Sequence, residues 1–234
     1  MSYTLIIEHR PWEHAGMIRG ALAGREVRTV NIVDEARPPV PTPADIDALV
    51  VMGGPMGALD DAEFPGLASE RRLIAQCCAA GVPVLGVCLG MQLVAVALGG
   101  DLRSGATREV GISAVDLTPA GVAYPLFAAI ERPEPTRLEV LHWHGDTVSA
   151  PPGATVLATS ASTPVQAFAV GNALGMQFHL EVDANQLREW LREPVMRAEL
   201  SEAEIGSLGS AGCTRLAELA PAAARGIASW FTAR

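Results

Sequence analysis

No apolar run in this 234-residue chain reaches the roughly 18 residues that mark a membrane-spanning helix. Basic clusters are missing too: Lys and Arg total 17 against 26 Asp and Glu, a net charge of −9. An acidic chain without a cationic patch is a poor ligand for nucleic acid or an anionic membrane, so neither is expected as a partner. Cysteine is scarce. Cys77, Cys78, Cys88 and Cys213 form no CxxC pair, and no His-rich tract accompanies them, so the spacing offers no metal site. The opening residues Met1-Ser2-Tyr3-Thr4 lack the basic and apolar regions of a secretory leader. These absences together predict a reduced, cytoplasmic protein. Internal repeats, domain-length linkers and glycine-rich phosphate loops are also absent from the pattern.

What is present is apolar residue in quantity, 49% of the chain, enough for an ample core in one α/β domain over 1–234. Tyr3 to Ile7 reads as a first strand, followed by a loop with His9 and His14 and a short helix over Ala15 to Ala23. The two loop histidines are candidates for the rim of a ligand crevice, where loops after parallel strands collect. Glu26 to Val33 and Ala48 to Met52 read as strands, separated by the stiff proline-rich stretch 38–43. Pro65 to Ala80 has helix character and stops at Gly81. After Gly99 the texture changes to short alternating segments. Strands are predicted within Asp101 to Thr118 and over Leu138 to Trp143, Thr155 to Ser160, Val165 to Val170 and Leu174 to Phe178. Their close spacing predicts an antiparallel excursion rather than further βαβ units. Asp183 to Arg192 reads as a helix. Residues 193–234 read as a helical C-terminal extension of two helices broken near Gly206 to Gly212.

The chemistry concentrates between Val82 and Leu98. An apolar strand, Val82 to Leu85, meets an apolar helix, Leu93 to Leu98, through Gly86-x-Cys88-x-Gly90. That is the nucleophile-elbow pattern with Cys in place of Ser. A glycine on each side removes the Cβ atoms that would clash in so sharp a strand-to-helix turn. The helix start also supplies free N–H groups for a thiolate and for a developing oxyanion.

A cysteine nucleophile needs a base, and the base needs an orienting acceptor. Two pairs qualify. His144 and Asp146 close one strand-like run, and His179 and Glu181 close another. Both are spaced by two, so in extended backbone both side chains of a pair face the same way. The residues alone leave both pairs open, although Gly175 to Phe178 reads as the more buried strand.

Gly53-Gly54-Pro55, Gly86-Val87-Cys88-Leu89-Gly90-Met91-Gln92 and Gln177-Phe178-His179-Leu180-Glu181 together resemble the class I, triad-type glutamine amidotransferases. The resemblance runs from about Ala48 to Val182, and its flavour is that of stand-alone relatives of the GMP synthase glutaminase domain. It implies a flavodoxin-like, open, mostly parallel sheet flanked by helices, with the antiparallel excursion following the nucleophile helix. It implies Cys88 as nucleophile, His179 as base and Glu181 as the third member. It places oxyanion donors at the N–H groups of Gly54 and Leu89, and glutamine contacts at Gln92 and beside His144. Two departures stand out: Leu180 replaces the family's usual Pro, and Trp143 occupies a position that is often small, where an indole would narrow the pocket. The implied reaction is glutamine amide hydrolysis through a γ-glutamyl thioester, without a metal or organic cofactor. Ammonia would pass to an acceptor on a separate synthetase chain, since the residues after Glu181 are too few for a synthetase domain. The alternatives are a γ-glutamyl amine or peptide hydrolase and a non-catalytic regulatory subunit.

Overall fold

Alternation in the first strands decides the architecture. The computed structural model describes residues 2–36 and 38–233. Strand β1 (Tyr3–Ile7) is buried along its whole length, so both faces of the sheet must be covered. Helix α1 (Met17–Ala21) leads to β2 (Val27–Val30), β3 (Ile46–Val51) and α2 (Gly66–Ala79). Then come β4 (Val84–Val87), α3 (Leu89–Ala97), β5 (Leu102–Arg103) and β6 (Glu109–Leu117). Two short helices, α4 (Pro119–Ala123) and α5 (Pro125–Ala128), precede β7 (Arg137–His144) and β8 (Thr147–Val148). Strands β9 (Thr155–Thr159), β10 (Ala167–Val170) and β11 (Ala173–Met176) follow, and the chain ends in α6 (Ala184–Trp190), α7 (Pro194–Ala198), α8 (Glu202–Ser207) and α9 (Cys213–Thr232).

Nine strands form one sheet in the order β2-β1-β3-β4-β11-β10-β9-β6-β7. The first five run parallel and the last four pair antiparallel. This is the flavodoxin-like order with an antiparallel wing, as the sequence implied. Ile6, Val50 and Leu85 face a core closed by Ile18 of α1 and Leu22 just after it, Phe127 of α5, and Ile227 and Trp230 of α9. Leu5, Leu49, Val51 and Val84 face the opposite core, closed by Leu73 and Ile74 of α2 and Met91 and Val94 of α3. A third cluster, built from Leu141, Trp143, Leu187, Trp190, Met196 and Cys213, lies where α6, α7 and α9 meet β7.

Several boundaries differ from the sequence expectation. The nucleophile strand is Val84–Val87 rather than Val82 to Leu85, because Pro83 has no N–H to give a ladder, and Gly86 lies inside the strand. The strand expected to run to Thr118 stops at Leu117, and Thr118 starts α4: its hydroxyl caps Gly121 N–H at 3.1 Å and Pro119 opens the helix. The expected break at Gly206 to Gly212 is not a break. Leu208–Gly212 forms a π-type turn that carries α8 directly into α9. Among the described residues no helix is long and apolar enough to cross a membrane.

Candidate active site

Cys88 sits where β4 becomes α3, with φ 53° and ψ −110°. It is the one non-glycine residue with positive φ among the described residues. Holding an L-residue there costs on the order of 1–3 kcal/mol, which the surrounding packing must impose. The flanking glycines show how. A Cβ on Gly90 would lie 1.9 Å from the Val51 carbonyl oxygen, and one on Gly86 would lie 2.5 Å from the Gly90 oxygen. The helix start therefore packs directly on β3 and β4 backbone, and Cys88 N–H is tied to Met176 O of β11 at 2.8 Å.

The catalytic candidates come from three separate strand ends. His179 follows β11 and is held by its N–H to Leu141 O at 2.8 Å. Its Nδ1 meets Glu181 Oε1 at 2.7 Å, with both side chains about 2% exposed. Burial alone would depress this imidazole, but the Glu181 carboxylate and the neighbouring Cys88 sulfur outweigh it. The His179 pKa is held well above its ordinary value. Trp190 stacks edge-on against the ring, with centroids 5.0 Å apart, and fixes its plane. The other pair behaves differently. His144 turns towards Glu109, 3.2 Å away, and Asp146 offers it only a backbone oxygen, at 3.2 Å from Nδ1.

A cavity of about 370 Å³ opens above Cys88. His179, Gly54, Leu89 and Gln92 line it, as do Trp143 and His144, while Glu181 stands behind His179. Neither the Gly54 nor the Leu89 N–H has a backbone acceptor among the described residues. The Gly54 backbone lies against the Leu89 side chain: a Cβ on Gly54 would lie 2.8 Å from Leu89 Cδ2. The Cys88 Sγ lies 3.6 Å from the Trp143 carbonyl oxygen and 3.6 Å from Gln177 Nε2. Gln92 is buried and donates to Gln177 Oε1 at 3.3 Å. The Trp143 indole packs edge-on against Trp190 and donates from Nε1 to Glu199 Oε2 at 2.8 Å, so it is a wall of the cavity anchored in the third core cluster.

Three features were not foreseen. Gln177 touches Cys88, and only its place in the Gln-Phe-His-Leu-Glu segment pointed to it. Glu13, in the loop after β1, lines the cavity with a carboxylate pushed up to about 7 by burial, against the opposing pull of His179 and His9. It reaches the neighbourhood of Cys88 and His179: a Cβ on Gly53 would lie 2.7 Å from Glu13 Oε2, 3.6 Å from His179 Cε1 and 3.7 Å from Cys88 Cβ. His9 is a correction to its reading as a rim residue. It is fully buried, with Nδ1 at 2.8 Å from Gly53 O and Nε2 at 2.8 Å from Glu70 Oε2. It braces the Gly53-Gly54 backbone from below. His14 does lie near the surface, 3.4 Å from Glu189.

A family described as glutamine amidotransferase class-I matches residues 18–197. A putative glutamine amidotransferase-like protein of Salmonella typhimurium is 37% identical over 151 residues, 63% of this chain and 61% of that one. A glutamine-hydrolyzing GMP synthase of Thermomicrobium roseum is 36% identical over 172 residues, 69% of this chain but only 29% of that protein. The chain thus spans under two thirds of each of these relatives. Among solved structures, a glutamine amidotransferase from Methylobacillus flagellatus superposes with a TM-score of 0.82 at 28% identity, covering 99% of this chain and 95% of that one. One from Thermotoga maritima gives 0.79 at 26% identity, covering 97% and 98%.

Proposed function

The chain belongs to the class I glutamine amidotransferases, and we propose that it hydrolyses the side-chain amide of glutamine with Cys88, His179 and Glu181 as its working residues. The observation that carries this reading is the strained Cys88 at a helix start, sharing one cavity with His179, whose Nδ1 is held 2.7 Å from Glu181. In this reading the Cys88 thiolate attacks the amide carbon. The Gly54 and Leu89 N–H groups receive the oxyanion, each donor contributing about 3 kcal/mol. His179, as imidazolium, gives its proton to the departing nitrogen, and Glu181 stabilises that charge. Ammonia leaves, a γ-glutamyl thioester remains on Cys88, and water deprotonated by His179 completes hydrolysis. Trp143, His144 and Gln92 shape the glutamine pocket, with Gln92 and Gln177 acting as a linked pair behind the sulfur.

The reading treats 1–234 as one glutaminase-type domain with 193–234 as its helical extension, working in a reducing cytoplasm. It assigns the ammonia to an acceptor on a separate synthetase chain. The matched GMP synthases are several times longer than the matching segment, which supports the acceptor site lying outside the region compared.

One observation favours a second reading, hydrolysis of a γ-glutamyl amine. Glu13, Asp60, Asp146 and Glu199 line the cavity, and among the described residues no arginine does. Such a wall suits a substrate whose leaving group carries a positive charge. Purified protein offered glutamine, γ-glutamyl amides and γ-glutamyl peptides separates the readings. Ammonia release from glutamine that rises on adding a partner synthetase supports the first. Amine release exceeding ammonia release supports the second. Release from none of them, with Cys88 unreactive towards a glutamine-like electrophile, would leave the regulatory alternative.

A further inference from the structure

Beside the catalytic cavity, strands β6 and β7 bring Glu109, His142 and His144 to one face. Glu109 is directly opposite His144 in the antiparallel register, and Gly111 is opposite His142. The two histidines, two residues apart, therefore point the same way. Their hydrogen-bond accounting does not close. His142 is 1% exposed, and neither of its ring nitrogens has a hydrogen-bond partner. His144 Nε2 is also buried without one, although Glu109 Oε2 is only 3.2 Å away, because the contact lacks hydrogen-bond alignment. His144 Nδ1 faces a second acceptor, the Asp146 carbonyl oxygen at 3.2 Å. A neutral imidazole has one N–H, so one of its nitrogens must present a lone pair to an oxygen. Leaving such groups unpaired in the interior costs about 1–3 kcal/mol each.

The Glu109 carboxylate is, by contrast, fixed. Ser160 Oγ donates to Oε1 at 2.7 Å, and Thr163 Oγ1 and Gln166 Nε2 donate to Oε2 at 2.6 and 2.7 Å. Hydrogen bonds that orient a carboxylate and a backbone carbonyl that fixes an imidazole are what surround metal ligands. One ligand atom from each of Glu109, His142 and His144 lies within 4.8 Å of the others. A tetrahedral zinc site has donor–donor edges of about 3.4 Å, so rotation of the two imidazoles towards the fixed carboxylate closes the set.

We propose that Glu109, His142 and His144 form a site for a borderline divalent cation, of which zinc is the best match to two imidazoles and one carboxylate. Three protein ligands leave a fourth position open to water. The ion enters through the catalytic cavity, which His144 lines. Sequence spacing did not reveal the site because Glu109 is brought to the histidines only by strand pairing. The proposal does not depend on glutamine hydrolysis.

Cobalt titration of the full chain, followed by zinc competition, tests it. One equivalent of Co²⁺ should bind and give tetrahedral d–d bands without a thiolate charge-transfer band, and zinc should displace it. His142→Phe and Glu109→Gln should each weaken binding by about 100-fold or more, judged against the 10–100-fold typical of losing an outer partner. Two variants guard against misfolding of one, and both are checked by melting. Absence of one-to-one binding overturns the proposal, as does unchanged affinity in the two folded variants. A thiolate band that vanishes in Cys88→Ser also overturns it, since the ion would then sit on the nucleophile.

Discussion

Replacing Trp143 by Ser distinguishes an indole that fills substrate space from one that holds the site together. The ring is 6% exposed and lies 5.6 Å from Trp190, edge-on at 87°. Trp190 in turn stacks on His179, and the Trp143 Nε1 is bonded to Glu199. Truncating a buried Trp costs about 3–5 kcal/mol. For a chain of this length each kcal/mol lowers the melting temperature by roughly 2–4 °C, so Trp143→Ser should melt about 6–20 °C below the parent. Trp143→Phe keeps an edge-on ring but loses the bond to a carboxylate, worth about 1.5–3 kcal/mol, and should fall in between. Differential scanning calorimetry of both variants gives the melting temperatures, and glutamine kinetics on the same samples give KM. A Trp143→Ser protein melting within about 2 °C of the parent while KM for glutamine falls would refute the structural account. The indole would then be a pocket filler, as the sequence alone allowed.

A glutamine-like chloroketone should label Cys88 and spare the other thiols. Burial pushes Cys77 up to about 12 and Cys78 to about 11, and raises Cys213 as well. Peptide mass spectrometry showing equal labelling at Cys213 would count against an activated Cys88. Glu70→Gln should destabilise the fold in a pH-dependent way. Burial works against the charged His9 imidazole, but Glu70 and the Gly53 carbonyl raise its pKa overall. Stability from a raised histidine pKa is fully present below the unfolded value near 6.5 and is lost as pH rises through the folded value. The variant should therefore lose about 3 kcal/mol in urea melts at pH 5.5 and less at pH 9; a loss that grows with pH would be the wrong sign. Glu13→Gln should do the reverse. A carboxyl raised by burial to about 7 destabilises the fold once ionised, so the variant should exceed the parent by roughly 3 kcal/mol at pH 8.5 and match it near pH 4. Equal stability at both pH values would remove Glu13 as a buried titrating group.

The legible parts of the molecule were those whose partners lie close in the chain. Gly86-x-Cys88-x-Gly90 records its own steric reason, because the two missing Cβ atoms would strike backbone at 2.5 and 1.9 Å. The His179–Glu181 contact follows from a spacing of two in extended chain. The contacts that escaped are between residues brought together only by the sheet. His9 reaches Glu70 across 61 positions, and Gln177 reaches Cys88 across 89. Glu13 looked like one more acidic loop residue until packing buried it beside Gly53. Local signals misled where a residue has two uses. Glycines at 206, 209 and 212 read as a break, yet helical backbone tolerates them when Leu208 and Cys213 supply the packing.

In the proposed reaction Cys88 carries the γ-glutamyl group during turnover. Acid quench of the full chain mixed with glutamine, followed by intact and peptide mass spectrometry, measures it directly. The expected result is a γ-glutamyl adduct confined to the peptide containing Cys88. That adduct should build up in Glu181→Gln, where the oriented base is weakened, and be absent in Cys88→Ala, which should also release no ammonia. Ammonia release by Cys88→Ala at the parent rate, or an adduct on any other residue, would contradict it.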